Sequence, residues 1–346
     1  LLAIPVFDQF GRFNFPVDHP LNLTGMQDKV LGQTDLVLVL DVPDLEGGVT
    51  QRAQEKGRRR PIPLLSSSTK IINVGLDDLL VRAWSHDFNK LREADLSILA
   101  DTSVFLPELV RRLKDEKGEL KKRGTDIEKR RAEWAKLHAD RQEAQNKQTK
   151  AKWDEKPIST SRLYSEMAEL LKNEDWVLTN GTSSGKEGLF LPAKKFNQIL
   201  GKYKGGGLGY GLPASLGAAL AHKGSGKICV DLQPDGDLLF TVSALWTAAH
   251  HKIPLLIVVC SNHSYYNDEE HQERMAQLRG RPVENKTIGI RIEDPVVDFA
   301  ANARSYGVWS VGPVTEPKDL RKALADALKV VKGGKPALVD VACQMR

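Results

Sequence analysis

Two short polar segments, each at the end of an apolar run, carry the residue types best suited to bind a cation. One follows the run 227–231 and places Asp235 beside a glycine, and the other follows the run 254–260 and contains Asn262. Carboxylate and amide oxygens are ligands that Mg²⁺ prefers, and a glycine lets an anionic group approach the backbone. If the two runs are adjacent parallel strands, Asp235 and Asn262 should face one site.

The elements around these segments alternate between strands and helices. The apolar runs predict strands at 176–179, 227–231, 254–260 and 337–342, and helical spacing predicts helices at 160–171, 213–221, 242–250, 294–306 and 317–331. Such alternation is typical of a parallel sheet with helices on both faces. Ligands bind such sheets beyond the carboxyl ends of the strands, which is where both polar segments lie.

The first part of the chain predicts a second α/β domain. Its apolar runs at 35–41, 70–75 and 94–101 suit parallel strands buried on both faces. Charged residues dominate from Lys114 to Lys152 and predict a helical connector. We therefore expect two doubly wound parallel-sheet domains, at 1–115 and 157–346, joined by a charged helical linker at 116–156.

Composition narrows the class of protein. The 346 residues, 41% apolar and 27% charged, suffice for two domains without a run that could span a bilayer, so no membrane association is expected. The net charge of +5 comes largely from clusters such as Arg58–Arg60, which lack a nucleic-acid-binding pattern and predict a solvated surface. Cys229, Cys260 and Cys343 lie in or beside apolar runs, which indicates free thiols and a cytoplasmic protein.

A glycine-rich segment ahead of the first polar segment makes the pattern more specific. It reads Gly-Gly-Gly-Leu-Gly-Tyr-Gly-Leu-Pro over residues 205–213, and Asn262 follows Asp235 after 27 positions. Together these motifs resemble the thiamine diphosphate (ThDP)-dependent enzymes, most closely the acetolactate synthase-like group of 2-oxo acid decarboxylases and carboligases. Residues 11–20 and the strands after them resemble that family's Rossmann-like central domain, here incomplete at its N-terminal end.

The resemblance implies roles for particular residues. Asp235, the Asn262 side chain and the main-chain carbonyl of Ser264 would bind Mg²⁺, and Leu208 would support the bent form of ThDP. The residues expected to contact the cofactor are Thr182, Ser183, Gly207, Leu208, Gly236, Asp237 and Tyr265. His263 and His271 are candidates for proton transfer to or from a 2-oxo acid substrate, with Glu269 and Glu270 as further candidates. No flavin is expected.

The chain departs from the family pattern at two points. Pro234 stands where the family usually has glycine, and proline fixes φ and removes a donor. The pyrimidine-binding domain, which supplies a glutamate to the cofactor, has no counterpart, and the chain does not begin with methionine. We therefore expect a truncated, cleaved or separate chain that acts with the missing domain, as a homodimer or homotetramer.

Other interpretations of these residues stay open. Asp235 and Asn262 taken singly would be ordinary turn and strand-end residues, and Gly209–Ala214 fits a loose dinucleotide fingerprint, although no strand leads into it. Three hypotheses follow: an acetolactate synthase-like enzyme, which is favoured; a catalytically silent ThDP-binding or regulatory subunit; and an unrelated α/β binding protein. The sequence does not identify the 2-oxo acid.

Overall fold

The structure, a computed structural model, describes residues 1–8, 14–55, 57–76, 92–182, 186–191, 193–200 and 207–345. Its larger sheets are parallel and lie among helices, which confirms the predicted α/β class. The chain divides into two compact units, one of Leu1–Gln9 with His19–Gln142 and one of Phe10–Asp18 with Glu143–Arg346. Each unit has its own sheet.

The first unit is built on a three-stranded parallel sheet. Its elements up to the last strand are α1 (Gln27–Val30), β1 (Leu36–Leu40), α2 (Leu45–Gly48), β2 (Thr50–Glu55), β3 (Arg58–Pro63), β4 (Lys70–Gly75) and β5 (Leu96–Leu99). The sheet order is β1–β4–β5, and β2 and β3 form a separate antiparallel pair. That pair was not predicted, because its arginine-rich strand has the composition of a solvated surface segment.

Three helices follow this sheet: α3 (Thr102–Asp115), α4 (Lys117–Lys122) and α5 (Gly124–Ala151). The charged stretch is therefore helical. Trp134 of α5 is buried in a cluster with Leu23 and Met26, and His138 Nδ1 lies 2.8 Å from the carbonyl oxygen of Asn22. Because α5 continues past residue 142, where the first unit ends, the linker boundaries 116–156 stay a prediction.

The second unit contains a five-stranded parallel sheet of order β6–β7–β8–β10–β9. The strands are β6 (Trp176–Asn180), β7 (Ile228–Pro234), β8 (Leu256–Ser261), β9 (Trp309–Val314) and β10 (Ala337–Ala342). The helices are α6 (Thr160–Leu171), α7 (Gly211–Ala221), α8 (Asp235–Phe240), α9 (Ala244–His250), α10 (Tyr266–Leu278), α11 (Phe299–Ser305) and α12 (Leu320–Lys332).

Apolar side chains cover both faces of this sheet. On β8, Val258 joins one core cluster with residues of α6 and α12, whereas Ile257 and Val259 join another with residues of α7, α9 and α11. Successive side chains on a strand point to opposite faces, so each face of the sheet packs against its own set of helices. The unit is doubly wound, and the positions of its strands are fixed from both sides.

Several elements differ from the sequence-based predictions. The edge strand β9 was missed because Gly312 and Pro313 interrupt it, and proline is tolerated in sheets chiefly on edge strands. The helix predicted at 294–306 is wrong at its start: it begins at Phe299, where Asp298 caps it by accepting from the Ala301 N–H at 2.7 Å. In the described part of the chain, no helix combines the length and apolar character needed to cross a bilayer.

Candidate active site

The ends of β7 and β8 bring the two polar segments together. The strands are adjacent and parallel, with Pro234 opposite Cys260, so Asp235 and Asn262 leave the same edge of the sheet. Pro234 has φ −66° and ψ 141°, a φ that its ring favours in any case. The first segment is therefore a strand end followed directly by helix α8, and proline fits this turn without strain.

Asp235 lies in direct contact with the second segment. Its carboxylate is 2% exposed and accepts the Gly236 N–H at 2.8 Å and the His263 N–H at 2.6 Å. Burial raises its pKa to about 6, and these amides only partly offset that effect; no lysine or arginine in the described part of the chain contributes to it. A buried carboxylate with a histidine but no lysine or arginine beside it is suited to a cation from solution.

Asn262 and Ser264 flank His263, whose N–H donates to Asp235. The Asn262 side-chain oxygen accepts the Ser264 N–H at 3.0 Å, and His263 between them has φ 54°, so the chain turns sharply there. No group of three or more His, Cys, Asp or Glu side chains that would hold a metal occurs in the described part of the chain. One carboxylate with amide and main-chain oxygens fits Mg²⁺, whose ligands are oxygens and which usually retains several waters.

Asp237 holds the glycine-rich turn in place. Its carboxylate accepts the Gly209 N–H at 2.7 Å and the Gly211 N–H at 3.2 Å, and Gln233 Nε2 donates to it at 2.6 Å. Gly209 has φ 91°, and a Cβ there would lie 2.9 Å from Phe240 Cβ, so this position requires glycine. The predicted cofactor contact of Asp237 is not tested, but the carboxylate already has three protein donors.

Leu208 projects from that turn. Its side chain is 53% exposed, and the Tyr210 N–H donates to the Gly207 carbonyl at 3.2 Å to close the turn. A large apolar side chain held this openly on a fixed turn is suited to contact a bound molecule. The contact of Gly207 and Leu208 with ThDP stays a prediction.

Gly236 lies tightly against Tyr265. A Cβ on Gly236 would lie 2.5 Å from Cε1 of the Tyr265 ring, and that ring packs edge-on against Phe240 with ring centroids 6.2 Å apart. Any side chain at Gly236 would therefore displace Tyr265. Tyr265 directly follows residues Ser261–Ser264, which we call the cation segment.

We expect Gly236→Ala to lower the free energy of unfolding by about 1–3 kcal/mol, because Tyr265 must move from its packed position. The matched control is Gly217→Ala in α7, where a Cβ meets nothing within 4 Å. Alanine there should be neutral or stabilise by up to about 1 kcal/mol, because glycine is a poor helix former. Urea unfolding of both variants would measure this, and equal values would contradict the packing described.

Burial of Asp235 predicts a pH-dependent stability for the cation-free protein. Its folded pKa of about 6 exceeds the ordinary 3.8, so the fold binds this proton more tightly than the unfolded chain does. The destabilisation by the ionised carboxylate is therefore absent below about pH 4 and reaches about 3 kcal/mol above about pH 6. Urea unfolding without Mg²⁺ should show about 2 kcal/mol of this loss between about pH 4.5 and about pH 7.5 in the parent but not in Asp235→Asn. The same pH dependence in both proteins would refute it.

The strand-end run 180–184 is only partly described. The Thr182 hydroxyl donates to Glu187 at 2.8 Å and lies 3.0 Å from the Tyr164 hydroxyl, so its oxygen takes part in contacts within the protein. Ser183 lies outside the described residues. Neither predicted cofactor contact is tested.

The candidates for proton transfer occupy different environments. His263 is partly buried beside Asp235, whereas His271 is exposed on α10, with its Nδ1 3.0 Å from Arg274 Nη2. Glu269 is 2% exposed and Arg291 donates to it, whereas Glu270 is exposed. The structure therefore places Glu269 in a buried ion pair, and proton transfer by the two histidines stays a prediction.

Sequence reasoning missed a buried polar network beneath the glycine-rich turn. Asn180 Nδ2 donates to Asp231 Oδ1 at 3.0 Å and to Gln233 Oε1 at 3.3 Å, and Gln233 in turn donates to Asp237. Asn180, Asp231 and Gln233 are all at least 94% buried. The sequence does show polar residues at the ends of the apolar strands. It does not show which of these residues form hydrogen bonds with each other.

Comparisons with known proteins find related sequences and folds. The family described as "Thiamine pyrophosphate enzyme, C-terminal TPP binding domain" matches residues 180–341. The chain is 31% identical over 139 residues to benzoylformate decarboxylase of Pseudomonas aeruginosa, a match that covers 40% of this chain and 24% of that protein. It is 30% identical over 136 residues to the acetolactate synthase large subunit of Buchnera aphidicola subsp. Schlechtendalia chinensis, covering 39% and 22%.

Solved structures share the fold over 99% of this chain. They include 4-hydroxybenzoylformate decarboxylase of Rhodococcus jostii RHA1, with TM-score 0.65 and 19% identity, and benzoylformate decarboxylase of Polynucleobacter necessarius, with TM-score 0.63 and 19% identity. This chain covers 57% of each of those chains. At such low identity the likeness shows the fold alone.

The α/β fold places the buried Asp235 carboxylate and the Asn262 segment at the adjacent ends of β7 and β8. Residues 180–341 match this family of thiamine pyrophosphate enzymes, and the chain is similar over about 40% of its length to a benzoylformate decarboxylase and an acetolactate synthase large subunit. It matches about a quarter of the length of the curated relatives and 57% of the solved chains.

Proposed function

We propose that this chain binds ThDP through Mg²⁺ and forms part of an enzyme that decarboxylates or joins 2-oxo acids. The observation that carries the proposal is the contact between Asp235 and the Asn262 segment, in which the carboxylate accepts the His263 N–H at 2.6 Å. Because the carboxylate is buried and no lysine or arginine in the described part of the chain contributes to its pKa, a divalent cation would stabilise its ionised form.

Each part of the site has a distinct task in this proposal. Asp235, Asn262 and the Ser264 carbonyl hold Mg²⁺, and Gly236 lets the diphosphate approach the backbone. Leu208 supports the cofactor ring from the turn that Asp237 fixes. When bound, ThDP supplies the carbon nucleophile and the electron sink that decarboxylation of a 2-oxo acid requires. The chain's own residues bind and orient the cofactor.

The proposal includes a second polypeptide segment. In this family a pyrimidine-binding domain completes the site with a glutamate, and this chain covers 57% of solved relatives' chains. We propose that the domain is supplied by another segment or chain, in a cytoplasmic homodimer or homotetramer. The silent-subunit alternative was suggested partly by Pro234, but its φ of −66° suits the turn, so this residue does not favour that alternative.

Calorimetry of the chain with ThDP and Mg²⁺ tests the binding part of the proposal. We expect heat that depends on both and that disappears in Asp235→Ala. The catalytic part is tested with a pyrimidine-binding domain from a relative supplied and with 2-oxo acids offered as substrates, beginning with benzoylformate; carbon dioxide release is expected. Binding without any turnover would favour the silent subunit, and no heat with ThDP and Mg²⁺ would overturn the proposal.

A further inference from the structure

The cation segment is paired with a part of the chain that lies about 27 positions later. The Tyr265 N–H donates to the Ile290 carbonyl at 3.0 Å, and the Ile292 N–H donates to the His263 carbonyl at 2.9 Å. These bonds form an antiparallel bridge between Ser264 and Arg291. The main chain around Ser264 therefore depends on the position of residues 290–292.

An ion pair between the buried Glu269 and the partly exposed Arg291 holds the two strands of this bridge together. The Ser264 hydroxyl donates to Glu269 Oε2 at 3.0 Å, and Arg291 contacts both carboxylate oxygens, with Nη2 donating to Oε1 at 3.0 Å and Nε lying 2.9 Å from Oε2. Glu269 is 2% exposed and Ser264 is 4% exposed. Lys286 lies 3.7 Å from the same carboxylate. Glu269 thus connects the segment through a side-chain hydroxyl to Arg291.

The other end of the cation segment is held in a similar way. The Ser261 hydroxyl donates to Asp340 Oδ1 at 2.5 Å, and Asp340 is 1% exposed on the neighbouring strand β10. The segment Ser261–Ser264 is therefore held at both ends by a serine hydroxyl and a buried carboxylate. The two carboxylates that accept these hydrogen bonds, Glu269 and Asp340, are not among the proposed ligands of the cation.

We propose that Glu269 and Arg291 are positioning residues that fix the main chain of Ser264 for cation binding. The inference rests on the proposed function, because Ser264 would bind the cation through its main-chain carbonyl, whose position no side-chain rotamer can adjust. Such a ligand is placed only by what holds the backbone, and the bridge and the ion pair are what hold it. Removing a residue that holds a metal ligand in place typically lowers the affinity for the metal by 10–100-fold.

Titration with Mn²⁺ at saturating ThDP, with free Mn²⁺ followed by electron paramagnetic resonance, tests this proposal. Ser264→Ala removes the hydroxyl but keeps the carbonyl, and Glu269→Gln keeps the size but removes the charge. We expect each to raise the Mn²⁺ dissociation constant about tenfold or more. The matched control is Glu273→Gln, one turn further along α10, because Glu273 pairs with Lys286 at 2.6 Å and has no described contact with the cation segment. It should change the constant less than about threefold.

Thermal unfolding without cation separates positioning from a structural role alone. Unchanged Mn²⁺ affinity in both variants, with lower melting temperatures, would overturn the inference and leave a structural ion pair. A parent chain that binds no Mn²⁺ with ThDP present would overturn the proposed function, and the inference with it. If Glu269→Gln fails to fold, Ser264→Ala decides alone, since it removes a single hydroxyl.

Discussion

Replacing Asp235 with alanine is expected to weaken Mg²⁺-dependent ThDP binding by about 1,000-fold, or about 4 kcal/mol. The variant removes the one carboxylate among the proposed ligands, and that carboxylate is 2% exposed and in contact with the Asn262 segment. A neutral cavity would offer the cation only amide and carbonyl oxygens, while the diphosphate would still bring negative charge. The loss of ThDP affinity in Asp235→Ala should therefore exceed the loss caused by replacing any single neutral ligand, including Asn262.

Calorimetric titration of ThDP at a fixed excess of Mg²⁺ measures this effect. Asp268→Ala is the control, because Asp268 is an exposed carboxylate in the first turn of α10, three residues after Tyr265. It tests whether negative charge near the segment matters in general, and we expect it to bind ThDP like the parent. Near-parental affinity in Asp235→Ala would mean that the cation, if bound, lies elsewhere.

Shortening Leu208 to alanine is expected to weaken ThDP binding by about tenfold while leaving inorganic pyrophosphate binding unchanged. Contact with a leucine side chain is worth about 1.5–3 kcal/mol when it is fully buried, and Leu208 is 53% exposed in the chain alone. Pyrophosphate has no ring to rest on this side chain, so it reports only on the cation and diphosphate positions. The difference between the two ligands isolates the contribution of Leu208.

The matched control for Leu208→Ala is Leu220→Ala. Leu220 is also a leucine, is 54% exposed and lies near the end of α7, away from the turn that Asp237 fixes. It should leave both affinities unchanged. Equal losses of ThDP and pyrophosphate binding in Leu208→Ala would show that the turn, not the side chain, had been disturbed. Parental ThDP affinity would remove Leu208 from the site.

The parts of the fold with strong local patterns were predictable from sequence. Strands β7, β8 and β10 are largely apolar and almost entirely buried, as expected for a doubly wound sheet, although Asp231 and Asp340 lie within β7 and β10. Strand β9 was not predicted, because its residues include Gly312-Pro313 and its place at the sheet edge follows from tertiary pairing. The start of α11 is set by a local signal instead, the Asp298 N-cap, which follows the predicted start at residue 294.

The candidate site was predictable as a set of strand-end residues but not as a network. The positions of Asp235 and Asn262 after two apolar runs predicted that both lie at the same edge of the sheet, because adjacent parallel strands end together. It did not reveal that Asp237 would accept hydrogen bonds from the glycine-rich turn, or that Arg291 would reach back to Glu269. Those hydrogen bonds join residues more than 20 positions apart, and no local sequence pattern shows which polar groups contact each other.

A crystal structure of the chain with ThDP and Mn²⁺ in place of Mg²⁺ tests the central claim most directly. An anomalous difference map locates the metal without assuming its ligands. The predicted result is one Mn²⁺ peak within coordination distance of the Asp235 carboxylate, the Asn262 side-chain oxygen and the diphosphate. A peak at another position, or Asp235 and Asn262 contacting different ligands, would contradict the account.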